Sequence, residues 1–219
     1  MTIKGFVLSA LGLFIIPVAS MAIEEPEYKV VGQYADFELR LYAPYIVAEV
    51  DVRGDFDNAG SQAFRILAGY IFGDNAAAEK MAMTAPVEAR ATTEGEKMAM
   101  TAPVTTTAAE DSGEYTYAFV MERKYSLQSL PVPNDERIRI RQVPARTMAA
   151  HRYSGRWTEE EYLRHKDLLL TELRAQGIQT VGQPILARYN SPFSLPFLRR
   201  NEVLVEIIPA ASQGEVPAQ

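Results

Sequence analysis

The sequence predicts an α+β domain: a curved antiparallel sheet or distorted β-barrel from two pseudo-two-fold repeats, with two main helices packed on it. Three observations predict it. Alternating apolar and polar residues recur in runs of strand length along most of the chain. Two segments instead carry apolar residues at helical spacing. Finally, Leu39-Arg-Leu-Tyr42, Pro44 and Gly54-Asp-Phe56 have the layout of Ile138-Arg-Ile-Arg141, Pro144 and Gly155-Arg-Trp157, about 100 residues later. Each copy reads strand, proline turn, strand, Gly-x-aromatic, helix, strands.

The elements follow in order. Strands are expected at Tyr28 to Tyr34, Phe37 to Tyr42 and Tyr45 to Val52, the last two joined through Ala43-Pro44. Asp57 or Asn58 can cap a first helix over 58–72, in which Ala59, Ala63, Ile66, Leu67, Tyr70 and Ile71 recur at helical spacing before Gly73-Asp74-Asn75 stops it. Thr105 to Glu114 reads as a polar loop and Tyr115 to Glu122 as a strand. After Leu130-Pro-Val-Pro-Asn134 come strands at Arg137 to Val143 and Thr147 to Tyr153. Thr158 and Glu161 then make a capping box ahead of a second helix with the stripe Tyr162, Leu163, Leu169, Leu170 and Leu173, ending before Gly177. Strands at Pro184 to Tyr189 and Glu202 to Ile208 complete the fold, and 210–219 reads as a disordered tail.

Composition narrows the function. The chain has 219 residues and 47% hydrophobic content, enough for one substantial core, here assigned to 23–209. It has no cysteine, which excludes disulfides, thiolate metal sites, iron–sulfur clusters and covalent haem attachment. The first residues place Lys4 before an apolar run from Phe6 to Val18 and the small residues Ser20-Met21-Ala22. This predicts a signal peptide over 1–22, cleaved after Ala22, and a periplasmic or otherwise exported protein; an uncleaved N-terminal anchor is the rival. A net charge of −6 argues against nucleic acid and anionic membrane surfaces as partners, leaving a small molecule or a protein.

One stretch occurs twice. Glu-Lys-Met-Ala-Met-Thr-Ala-Pro-Val fills 79–87 and again 96–104. Read as strands, the two copies place Met81 and Met83 on one face and Met98 and Met100 on one face; pairing as a hairpin around an even-numbered loop such as Thr92 to Gly95 would bring all four thioethers to one side of the sheet, and an odd loop would separate them. They then either fill irregular core or form an adaptable ligand wall.

That repeat, together with Arg-Thr-Met-Ala-Ala-His-Arg-Tyr-Ser-Gly-Arg-Trp at 146–157 and Ala-Arg-Tyr-Asn-Ser-Pro at 187–192, resembles the SOUL haem-binding protein family over Tyr28 to Pro209. The resemblance implies a two-repeat β-barrel with two helices, similar to the ligand-binding domain of GyrI-like proteins, and haem or a related tetrapyrrole bound without covalent attachment in an apolar groove beside the first helix. It implies binding rather than catalysis, and it supplies no axial ligand.

Candidate contacts come from the residues themselves. Phe64, Leu67, Tyr70, Ile71 and Phe72 make the first helix more apolar than one sheet contact requires, so they serve either as core or as a groove wall, with Arg65 or Lys80 available for propionates. His151, on a strand face with Ala149 and Tyr153, is the candidate iron ligand, although a mid-strand histidine is more often packed than ligating. His165 lies about 90° from the apolar stripe of the second helix and is expected to border water beside Glu161. A weak GyrI-like hydrolase would instead need polar residues such as Tyr42, Glu49 or Glu206 in the groove, and none of the familiar hydrolase, metalloprotease or nucleotide-binding motifs is present.

Overall fold

The computed structural model describes residues 23–76, 95–108, 113–191 and 193–209. Its strands are β1 (Tyr28–Gln33), β2 (Glu38–Tyr42), β3 (Tyr45–Arg53), β4 (Asn75–Ala76), β5 (Val104–Ala108), β6 (Glu114–Val120), β7 (Val132–Pro133), β8 (Arg139–Val143), β9 (Arg146–Tyr153), β10 (Thr180–Arg188) and β11 (Asn201–Ile207). The helices α1 (Phe56–Ile71) and α2 (Glu159–Ala175) each follow the second strand of a repeat. Residues 1–22 and 210–219, where the signal peptide and tail are expected, lie outside the described residues, as do Lys80, Met81 and Met83.

Nine strands form one antiparallel sheet in the order β1-β2-β9-β11-β10-β5-β6-β3-β8, while β4 and β7 pair separately. From β2 to β8 this order is a palindrome of equivalents: β2 answers β8, β9 answers β3, β11 answers β6 and β10 answers β5. The duplication read from the sequence is therefore a pseudo-two-fold about the β5–β10 pair. The first strand of each repeat leaves its own half, since β2 pairs with β9 and β8 pairs with β3.

Alternation assigns the two faces. On one, Ala48, Val50 and Val52 of β3 with Tyr117 and Phe119 of β6 meet Ala59, Ala63, Leu67, Tyr70 and Ile71 of α1. On the same face of the other half, Ala149, Tyr153, Leu186, Val203 and Val205 meet Tyr162, Leu169 and Leu173 of α2. Each fully buried leucine stabilises the fold by about 1.5–3 kcal/mol relative to exposure. The helices end alike: Asp74 N–H donates to Gly69 O and Ile178 N–H to Leu173 O, both at 2.9 Å, around Gly73 and Gly177 at φ +114° and +68°. That left-handed turn after the last helical residue is the one glycine adopts without a Cβ clash.

Three expectations change. The first helix starts at Phe56 because Asp55, not Asp57 or Asn58, is the cap and accepts from Asn58 N–H. Part of the expected loop after Thr105 is β5, whose β-branched threonines pair with β6 on one side and β10 on the other. The second nine-residue copy forms no strand before Val104. Its backbone is held by single bonds, Met98 N–H to Ile71 O at 2.8 Å and Ala102 N–H to Glu24 O at 2.9 Å. Met98 therefore turns into the α1 core at 6% exposure while Met100 stands out at 39%, so this pair does not share a face.

Candidate functional site

α1 covers β3 and β6, α2 covers β9, β10 and β11, and neither spans the strand between them, β5. A cavity of about 500 Å³ opens there. Its walls are Phe56, Asp57, Gly60, Ser61 and Phe64 of α1, Val104 of β5, Tyr117 of β6, Trp157 ahead of α2, and Arg188 and Asn190 at the end of β10. Gly60 lets the sheet come close, because a Cβ there would stand 3.2 Å from the Tyr117 hydroxyl, which donates to Phe56 O at 3.3 Å. Trp157 is fixed from behind: its indole N–H donates to the fully buried Asn201 Oδ1 at 2.7 Å, and the Arg199 guanidinium lies 4.3 Å from its ring.

At the floor lies Arg188, opposite Val104 in the β10–β5 ladder. Its guanidinium is 5.5 Å from the Trp157 ring, 5.7 Å from Tyr117 and 6.0 Å from Phe56, and one terminal nitrogen donates to Thr106 Oγ1 at 3.0 Å. Its Nε is buried without a partner. Burial in this aromatic box pulls its pKa below the usual arginine value, although a guanidinium stays cationic at any working pH.

The predicted site residues divide. Phe64 lines the cavity, 40% exposed. Leu67, Tyr70 and Ile71 are core, and the Tyr70 hydroxyl donates to Pro131 O at 2.8 Å. Arg65 is exposed and outside the lining, and Phe72 points outward at 57% exposure. Met98 is packed beneath α1 and Met100 is on the surface.

His151 is not at the groove. It sits under α2, with Nδ1 2.6 Å from Asp36 O and Nε2 2.8 Å from His165 Nδ1. One tautomer satisfies the whole chain: Arg164 donates to His165 Nε2, His165 Nδ1–H to His151 Nε2, and His151 Nδ1–H to the Asp36 carbonyl. His165 does not border water as expected. It is 8% exposed because Tyr153 rises from β9 to stack on it at 3.8 Å. Burial first, then the Arg164 charge and His151, pull its pKa down to about 4.

The polar candidates fall on the sheet's other face. Glu49 pairs with Arg141 at 2.8 Å and Arg139 at 3.4 Å, and Glu206 with Arg146 at 3.5 Å. Tyr42 joins a buried cluster in which Arg40 holds Glu202 at 2.7 Å and Tyr189 donates to the same carboxylate at 2.8 Å. Burial pushes the Glu202 carboxyl up, but bonds and charge from Arg40, with Arg200 added, outweigh it and hold the group below the usual carboxylate value. Each of these carboxylates is thus paired with an arginine, while Arg146 Nε is buried without a partner.

Sequence reasoning did not assign roles to Trp157, Arg188 and Asn190, yet a signal existed. Each of the three stretches that carry the family resemblance sends a side chain into the cavity: Val104 from the first, Trp157 from the second, Arg188 and Asn190 from the third.

Fold and groove together define an α+β domain: a nine-stranded antiparallel sheet, two helices on one face and an apolar-walled groove beside the first. The sheet and helices are similar to those of a hydrolase from Listeria innocua (11% identity, TM-score 0.51, covering 81% of this chain and 94% of that one). They are also similar to the C-terminal domain of EcmrR (10% identity, TM-score 0.56, covering 83% and 98%), a protein also solved in a DNA complex. At such identities the likeness establishes the fold alone. The sequence profile described as SOUL heme-binding protein matches residues 23–94 and 89–206, and the chain belongs to that family. No curated protein sequence matches it.

Proposed function

We propose that this chain is a binding protein, not an enzyme, that takes haem or a related tetrapyrrole reversibly into the groove between α1 and β5. The observation that carries the reading is the convergence of the three family stretches on one aromatic-walled cavity of about 500 Å³, within the range of ligand pockets. Phe64, Val104, Tyr117 and Trp157 would meet the faces of a flat macrocycle. Bound haem would supply an iron, and among the described lining residues Tyr117 is the iron-ligating type, though its hydroxyl is already engaged with Phe56 O. The protein's part is thus to hold and desolvate the ring, which suits a carrier, buffer or sensor. The apolar run at 6–18 supports a role outside the cytoplasm.

Trp157 is the chain's only tryptophan and borders the groove, so its fluorescence reports occupancy directly. Titrating the protein with hemin should give saturable quenching together with a one-to-one Soret shift. Absence of both with a folded protein overturns the proposal.

A further inference from the structure

We propose that Arg188 is the anchor for a ligand's acidic group, so that the groove selects flat apolar molecules carrying a carboxylate or similar monoanion over their neutral counterparts. The proposal rests on the groove being the ligand site and names the chemistry it would recognise.

The arginines of this chain behave differently from one another. Arg40, Arg139, Arg141, Arg146, Arg164 and Arg200 each hold a carboxylate. Arg188 is more enclosed than most of these, yet among the described residues it takes part in no ion pair. Asp57, at the groove wall, acts on it through its charge and makes no ion pair with it. A guanidinium has five N–H donors. One terminal N–H reaches Thr106 and the Tyr117 hydroxyl is a further hydrogen-bonding neighbour, but the Nε–H has no partner, and ring faces give a cation attraction without accepting a bond in the guanidinium plane. Burying an uncompensated charge is costly unless something pairs with it. The aromatic box therefore holds a planar fork of donors in a fixed orientation at the floor of an apolar cavity. A carboxylate answers that fork in two parallel bonds, while the rest of the ligand lies against Phe64, Val104 and Trp157.

The test compares acid with neutral form in two ligand pairs, on the full chain, reading Trp157 quenching or probe emission. The first pair is iron-free protoporphyrin IX against its dimethyl ester in the same detergent, which removes any contribution from the metal. The second is 8-anilinonaphthalene-1-sulfonate against neutral N-phenyl-1-naphthylamine. The wild type should prefer the anion in at least one pair by about tenfold or more, the scale of one charge-assisted bidentate contact. Arg188→Gln should abolish that preference, and Arg188→Lys, which keeps charge but not the fork, should retain part of it. Thermal melts establish that each variant folds, and if the Gln variant does not, the Lys variant decides. The anchor is refuted if the wild type binds both members of both pairs equally, or if the preference survives the substitution. Arg188-dependent binding of the sulfonate with no binding of either porphyrin would uphold the anchor and reject the tetrapyrrole reading instead.

Discussion

The two helix–sheet layers descend from one plan but are finished differently. Under α2, His165 stacks on Tyr153 and bonds to His151, and the space is closed. Beside α1, the helix presents Gly60 and Ser61 where, counting from the two caps, α2 carries Leu163 and Arg164. The sheet beneath is left open down to Arg188. The groove beside α1 stays open where Gly60 adds no side chain, whereas beneath α2 the His165 ring on Tyr153 and His151 fills the interface. Both halves carry a buried core, and the groove is built beside only one of the two helices.

Substitutions can test that division. The largest effect is expected where the halves agree: Leu67→Ala beneath α1 and Leu169→Ala beneath α2, both essentially unexposed, should each cost about 2–5 kcal/mol in urea unfolding. A marked inequality would mean one layer carries the fold. Next, Ser61→Trp should plug the groove and weaken hemin binding by more than about tenfold, whereas Leu163→Trp on the exposed face of α2 should leave it unchanged. Equal loss from both would place the ligand elsewhere. The filled side should respond to acid. His165 has an ordinary pKa near 6.5 when unfolded and about 4 when folded, so the unfolded chain takes up a proton that the folded one refuses. Its contribution is complete above pH 6.5 and is lost as pH falls toward 4, amounting to about 1–2 kcal/mol after allowance for solvent screening. His165→Phe should flatten that part of the stability profile without altering the groove. Smallest is the cap: Thr158→Ala should lower stability by about 1 kcal/mol, seen as a small drop in Tm with ligand binding unaffected.

Where a local rule and the tertiary contact agreed, the sequence was readable. The Thr158 cap, the Gly177 stop and the strand, turn, strand, helix repeat are local chemistry, and all stand in the fold. Misreadings arose where partners distant in sequence decide. Thr105 to Thr107 look like loop until β6 and β10 are placed on either side. The alternation of Met98 and Met100 suggests a strand, yet the backbone here is tied by single bonds to Ile71 and Glu24, far apart in sequence. His165 is off the stripe of its own helix, and only Tyr153 from β9 makes it interior. The groove was legible in outline, through Phe64 and the wide face of α1, but its floor was not. A lone arginine in an alternating strand reads as solvated until three aromatic rings from three other segments enclose it.

The exchange of β2 and β8 between halves has a consequence for how the chain reaches this state. Tyr42 lies opposite Arg146 and Tyr45 opposite Val143, so adjoining residues at one turn must find partners about a hundred positions away. Closing such loops is slow, and neither repeat can complete its own sheet first. Assembly is therefore a joint event, closer to two subunits meeting than to two small domains maturing in turn. A backbone cut in the connection at Ser126 to Asn134 should yield fragments that are unstructured alone and regain near-ultraviolet dichroism only when mixed.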